Sequence, residues 1–138
     1  MFCIDTNIFV EFLRGNEKVI KKFNNTDSDN IFFSPITLCE LYQGVYSSNN
    51  AKINIQELNE FIGDFNILDF DKEVCEEFGK EYTKLKKMGK QIPEFDLIIA
   101  CFAKVNNLIL VTRDKHFKNI KIEIWWWSIK NSGKINNF

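Results

Sequence analysis

Four carboxylates stand in settings that suit a cation better than a core: Asp5, Glu40, Asp96 and Asp114. Asp5 ends the apolar opening Met1-Phe2-Cys3-Ile4 and is followed by two hydrogen-bonding side chains, Thr6 and Asn7. Asp114 follows the apolar run 108–111 and the pair Thr112-Arg113. Open α/β sheets bind their ligands just beyond the carboxyl ends of their strands, and both aspartates stand at such ends. Glu40 and Asp96 lie near the starts of helices that follow strand ends, opened by Ser34-Pro35 and by Pro93. In a parallel sheet covered on both faces, all four points fall on one rim. Converging carboxylates repel and raise one another's pKa unless a cation joins them. An all-oxygen donor set suits Mg2+ or Mn2+, which keep several waters and bind substrate phosphate. Such ions serve phosphodiester hydrolysis. Taken singly, each acid has a plainer role: helix caps for Asp5 and Asp114, a dipole partner for Asp96, an exposed helical Glu for Glu40. Only the combination points to chemistry.

The elements that must position these residues alternate between strand and helix. Residues 1–5 read as a strand, with a helix over 7–14 that Gly15 stops and a second over 16–25. Ile31-Phe32-Phe33 is a buried strand. Ser34 as N-cap and Pro35 at the first helical position open the next helix, whose apolar face is Leu38, Leu41, Tyr42 and Val45. A helix over 51–63 packs through Ile55, Leu58 and Ile62, and Ile67-Leu68-Asp69-Phe70 is strand-like. Asp71 caps a helix that runs to Met88 and is ended by Gly89. The helix from Pro93 to Val105 is apolar almost all round, which places it inside the fold. Residues 108–112 form a continuous apolar strand, and Ile122-Glu123-Ile124 a last short one. The expected architecture is one α/β domain over residues 1–138, a three-layer α/β/α sandwich with a mainly parallel sheet of four to five strands.

Composition limits the functions open to such a chain. With 138 residues, 45% hydrophobic and 14 Phe, it can bury a core. The longest apolar run, residues 97–103, is too short to cross a membrane, and Asp5 interrupts any leader-like segment, so a cytoplasmic protein is expected. Four dispersed cysteines (Cys3, Cys39, Cys75, Cys101) and one histidine leave a zinc site almost without ligands; reduced, mostly buried thiols are expected instead. A net charge of −1 hides an asymmetry: residues 1–83 carry 7 basic against 15 acidic side chains, residues 84–138 carry 11 against 4. Lys84, Lys86, Lys87 and Lys90, then Lys115, Lys118 and Lys121, make a basic half able to attract a polyanion or simply a solvated face.

The motifs Asp5-Thr6-Asn7, Ser34-Pro35-Ile36-Thr37 through Glu40-Leu41 and Gly44, Ile92-Pro93-Glu94-Phe95-Asp96-Leu97-Ile98-Ile99-Ala100, and Val111-Thr112-Arg113-Asp114 with Phe117 occur in order across nearly the whole chain. Together they resemble the PIN-domain family of nucleases, most closely its small VapC-type toxins. The resemblance implies that Asp5, Glu40, Asp96 and Asp114 are the catalytic, metal-binding acids. It further implies that Thr6, Asn7 and Thr112 support them, with Glu94 where many relatives carry a further acid. It also implies Mg2+- or Mn2+-dependent endoribonuclease activity, homodimerisation, and neutralisation by a small antitoxin whose tail enters the active-site groove.

Arg113, Lys115 and Lys87 are candidate RNA contacts, although an arginine beside acids pairs with one of them about as readily as with phosphate. His116 reads as incidental to a metal mechanism. Trp125-Trp126-Trp127 suggests core packing plus contact with a second subunit or antitoxin, with base stacking as the alternative. Other functions compete: an RNA-processing nuclease without a toxin role, a silent binding module, or a phosphoacceptor receiver domain. The last needs an acidic pair after the first strand, and Asp5 has no acidic neighbour.

Overall fold

Residues 1–126 are described in the computed structural model. Five strands, β1 (Phe2–Ile4), β2 (Ile31–Phe33), β3 (Asn66–Ile67), β4 (Ile109–Thr112) and β5 (Ile124–Trp126), pair in parallel in the order β3-β2-β1-β4-β5. The helices are α1 (Thr6–Leu13), α2 (Glu17–Asn24), α3 (Pro35–Tyr46), α4 (Ala51–Ile62), α5 (Lys72–Lys87) and α6 (Glu94–Val105). The chain steps from β1 through β2 to β3 on one side of the sheet and adds β4 and β5 on the other. Its winding therefore reverses between β1 and β4, and a crevice opens beyond their carboxyl ends. Register fixes what lies there: Cys3 pairs with Leu110 and Ile4 with Val111, and the Asp5 N–H continues the ladder to the Val111 carbonyl at 3.0 Å.

Strand alternation sorts the helices into two layers. Cys3 and Leu110 belong to one core cluster with Val74 and Leu85 of α5 and Leu97 and Phe102 of α6. Ile4 and Val111 belong to the other, with Phe9 of α1, Phe23 of α2, Leu41 of α3 and Leu58 of α4. Phe9 lies edge-on to Phe33 and Phe61, with ring centroids 5.2 and 5.5 Å apart, so much of the phenylalanine content forms one aromatic core. The expected α/β/α sandwich is observed, with every pairing among the described strands parallel.

Local chemistry sets most boundaries where expected. The Ser34 hydroxyl accepts the Thr37 N–H at 3.1 Å with Pro35 opening α3, and Asp71 accepts the Val74 N–H at 3.0 Å at the start of α5. Gly15 and Gly89, which follow α1 and α5, have φ of 81° and 65°, the left-handed region that glycine enters without strain. In α6, Leu97 and the run from Ile99 to Ala103 are buried, as a helix inside the fold requires.

Three expectations need correction. The strand expected over 67–70 is Asn66–Ile67: Leu68 adds one bond to the Phe33 carbonyl (3.0 Å), and Phe70 then leaves the sheet to pack its ring against Phe102. The last strand is Ile124–Trp126 rather than 122–124, because Ile120 to Ile122 form a tight turn and pairing with β4 begins at Leu110↔Ile124. Cys39 and Cys75 are exposed, while Cys3 and Cys101 are buried and all four are free. An apolar sequence neighbour such as Leu38 or Val74 faces inward on a helix, which turns the adjacent cysteine away. Trp125 packs its ring on Phe2, centroids 4.8 Å apart, in agreement with a core role; Trp127 lies outside the described residues. Among the described residues no helix is long and apolar enough to cross a membrane.

Candidate metal centre

Asp5 sits in the β1/β4 crevice, only 3% exposed. Its two carboxylate oxygens are held separately: one accepts the Thr6 N–H at 2.8 Å, the other the Thr112 hydroxyl at 2.6 Å. Thr112 is itself oriented by the Asp114 N–H, which donates to its hydroxyl oxygen at 3.0 Å. The two strand ends are thus tied to each other through the groups that aim the acids.

Glu40 is held from α1. The Thr6 hydroxyl lies 2.6 Å from its carboxylate and 3.2 Å from the Thr37 hydroxyl, which in turn lies 3.3 Å from that of Ser34. A carboxylate only accepts, so the Thr6 proton belongs to Glu40, leaving the Thr6 oxygen to accept from Thr37 and Thr37 to accept from Ser34. Ser34 and Thr37 are fully buried. Ser34, read in the sequence as a cap, and Thr37 thereby form a one-way hydroxyl chain that runs through Thr6 and ends on Glu40. The missed signal was the spacing Ser34, Thr37, Glu40, three residues apart along one helix face.

Asp96, in the first turn of α6, and Asp114 present carboxylate oxygens that, with an imidazole nitrogen of His116, lie within 4.8 Å of one another. The electrostatics join this group to Asp5 and Glu40. Burial pushes the Asp5 carboxyl up to about 6; the Thr112 hydroxyl and Thr6 N–H oppose the shift, and the charges of Asp96 and Glu40 reinforce it. Asp96 is raised as well, first by burial, then by Asp114 and Glu40, with His116 opposing. The four acids expected from sequence are therefore linked electrostatically through Asp96, which feels Asp114 and Glu40 and acts on Asp5.

The supporting residues divide. Thr6 and Thr112 hold carboxylates as expected. Asn7 is exposed and makes no side-chain hydrogen bond among the described residues, and Glu94 is exposed in the first turn of α6. Arg113 pairs with Glu11 at 2.7 Å, and Asn16 donates to the other Glu11 oxygen at 2.6 Å. Lys115 is exposed in the short 3-10 turn after Asp114. Lys87 closes α5, whose direction follows from its partners: Lys104, in the last turn of α6, binds Glu77 and Glu81 (2.7 Å to the latter) in the first two-thirds of α5. The two helices run antiparallel, so Lys86, Lys87 and Lys90 lie at the Asp96 end of the pair. Beyond Glu40 a groove of about 340 Å3 runs between α1, α3 and α4, walled by Val10, Leu13, Leu41, Val45 and Leu58, with Arg14 and Glu57 among its polar groups.

The site fits a hard divalent cation. Carboxylates and hydroxyls are the donors Mg2+ and Mn2+ accept, and raised acids in a partly buried cluster are what a cation would relieve. Comparison with known proteins agrees in fold and sequence. The PIN-domain family model matches residues 2–123. Ribonuclease VapC1 of Haemophilus influenzae (strain R2866) is 30% identical over 128 residues, 91% of this chain and 96% of that protein. The tRNA(fMet)-specific endonuclease VapC of Shigella flexneri is 26% identical over 82% of this chain and 86% of that protein. Among solved structures, a chain of VapBC2 from Rickettsia felis, bound to a DNA fragment from its promoter, superposes with a TM-score of 0.86 at 29% identity, covering 92% of this chain and 98% of that one. Because that match takes in both strand ends, both acid-bearing helices and the crevice between them, the chain belongs to the PIN-domain family, among its VapC-type members.

Proposed function

We propose that this protein is a divalent-metal-dependent endoribonuclease that hydrolyses RNA phosphodiester bonds, the toxin of a toxin–antitoxin pair. The observation that carries the proposal is the convergence of Asp5, Glu40, Asp96 and Asp114 in the β1/β4 crevice, with Asp5 raised to about 6 by burial and by its acidic neighbours. These four side chains would hold Mg2+ or Mn2+. When bound, the ion supplies charge neutralisation at the scissile phosphate and a more acidic water. The chain's own residues do the rest. Thr112 and the Thr6 N–H fix both oxygens of Asp5, and the Ser34–Thr37–Thr6 hydroxyl chain holds Glu40 in one orientation, so that neither carboxylate must reorganise when substrate arrives. Lys87 at the end of α5 and Lys115 beside Asp114 guide the RNA backbone toward the acids, while Arg113, engaged by Glu11, braces the loop that carries Asp114.

The partner reading rests on the groove beside Glu40 and on solved relatives that are VapBC complexes. An antitoxin segment lying along Val10, Leu13, Leu41, Val45 and Leu58 brings its end to the acids and silences them. In solution the protein is a homodimer.

Incubation of the purified protein with labelled RNA tests the function. The first substrate is a transfer RNA, since two of the relatives are named for tRNA(fMet). Cleavage is expected with Mg2+ or Mn2+ and none with EDTA. Undiminished cleavage in EDTA, or no cleavage of any RNA by metal-loaded protein, rejects the proposal.

A further inference from the structure

His116, incidental on sequence grounds, lies directly over two of the acids. The 3-10 turn Lys115–Asn119 starts from Asp114, whose carboxylate accepts the His116 backbone N–H at 2.9 Å, and this folds the imidazole back toward the crevice. Its Nδ1 stands 3.1 Å from an oxygen of Asp114 and 3.8 Å from an oxygen of Asp96. Donors about 2.1 Å from one octahedral ion are separated by about 3 Å when adjacent and about 4 Å when opposite. Both separations from Nδ1 fall within that span and all three donor atoms lie within 4.8 Å of one another, so small side-chain movements bring three side chains from two elements onto a common ion.

Resting on the metal-dependent reading above, we propose that His116 Nδ1 is a ligand of the ion held by Asp96 and Asp114, and that this nitrogen tilts the position toward first-row transition ions over Mg2+. With its proton on Nε2, a neutral imidazole presents the Nδ1 lone pair to the crevice. Mg2+ is hard and favours oxygen and retained water, whereas affinity for a nitrogen-containing site rises along the first-row divalent series from Mn2+, the weakest, to Co2+. The competing account is a plain hydrogen bond from Nδ1–H to Asp114, which predicts no bond to any ion.

The chain has a single histidine, so untagged protein labelled with 15N-histidine reports on this ring alone. Added 113Cd2+ is expected to shift the Nδ1 resonance and split it by direct coupling, with Nε2 still protonated. By calorimetry, His116→Ala should weaken Co2+ and Mn2+ binding at least about tenfold, the loss that removing even a residue behind a ligand produces. Mg2+ binding should change far less, and Asp96→Asn should weaken all three ions. If ions bind in an Asp96-dependent way but the Nδ1 resonance does not move, or His116→Ala binds Co2+ as tightly as the natural protein, the inference fails and the four-acid reading stands. If no divalent ion binds at all, both fail.

Discussion

Asp5 carries the clearest consequence of crowding acids without a cation. A carboxyl whose pKa is higher folded than unfolded stabilises the fold at low pH and loses that contribution as pH rises through the folded value. For Asp5 that window runs from the usual carboxylate range, near 4, to about 6. Asp96 is shifted in the same direction. In EDTA the protein should therefore melt at a lower temperature at pH 7.5 than at pH 5 as far as this cluster contributes, the Asp5 share of that difference being about half of the roughly 3 kcal/mol that its full shift represents. Asp5→Asn keeps an acceptor for the Thr6 N–H and removes the charge. It should raise the metal-free melting temperature at pH 7.5, flatten its pH slope, and lower RNA cleavage by at least about a hundredfold. Full activity in this variant would remove Asp5 from the metal site. A drop in metal-free melting temperature at neutral pH would show that the hydrogen bonds made by the charged Asp5 outweigh the repulsion around it.

The α5–α6 hairpin shows how a pair of helices can serve the site without supplying most of its acids. Lys104 joins Glu77 and Glu81 where the two helices lie side by side. Burial would lower the lysine pKa, but bonds to both carboxylates outweigh it and raise the value, so the charge stays on. This holds the two helices antiparallel and keeps the tip, with Lys86, Lys87 and Lys90, at the end where Asp96 begins α6. Glu in place of Lys86, Lys87, Lys90, Lys115 and Lys118 should weaken RNA binding and reduce the slope of log affinity against log salt by about one for each phosphate no longer neutralised. Fluorescence anisotropy across a salt series measures both quantities. An unchanged slope would make these lysines a solvated face, and calorimetry should find divalent-ion binding little altered.

Association is expected of the molecule as a whole. Tyr46, Phe70, Met88 and Phe95 are large and between 47% and 67% exposed, apolar surface that a second subunit would remove from water. Closed two-fold dimers are the commonest way for a chain of this size to cover it. Sedimentation at micromolar concentration should give a homodimer, and expression without an antitoxin should arrest host growth. A strict monomer in the centrifuge would reject the dimer, and harmless accumulation of metal-loaded protein would remove the toxin role while leaving the nuclease intact.

What was legible in the sequence was local. A cap such as Ser34 or Asp71, a left-handed glycine such as Gly15, and the apolar circumference of α6 act over a few neighbouring residues, so their pattern in the chain already contains their cause. The four acids could be located for a similar reason, since each stands next to the strand end or helix start that presents it. Convergence belongs to the tertiary structure. Thr112 reaches Asp5 across 107 positions and Thr6 reaches Glu40 across 34, distances over which spacing carries no geometry. The same holds for Arg113 reaching Glu11 across the sequence, and for His116 folding back over Asp96. The short outer strands β3 and β5 follow this rule too. Strands of two and three residues have too little alternation of their own, and their limits were set by the partner strand that offered the last free carbonyls and N–H groups. Sequence by itself determined which side chains were available for chemistry; only the packed sheet, reversing its winding between β1 and β4, decided which of them meet.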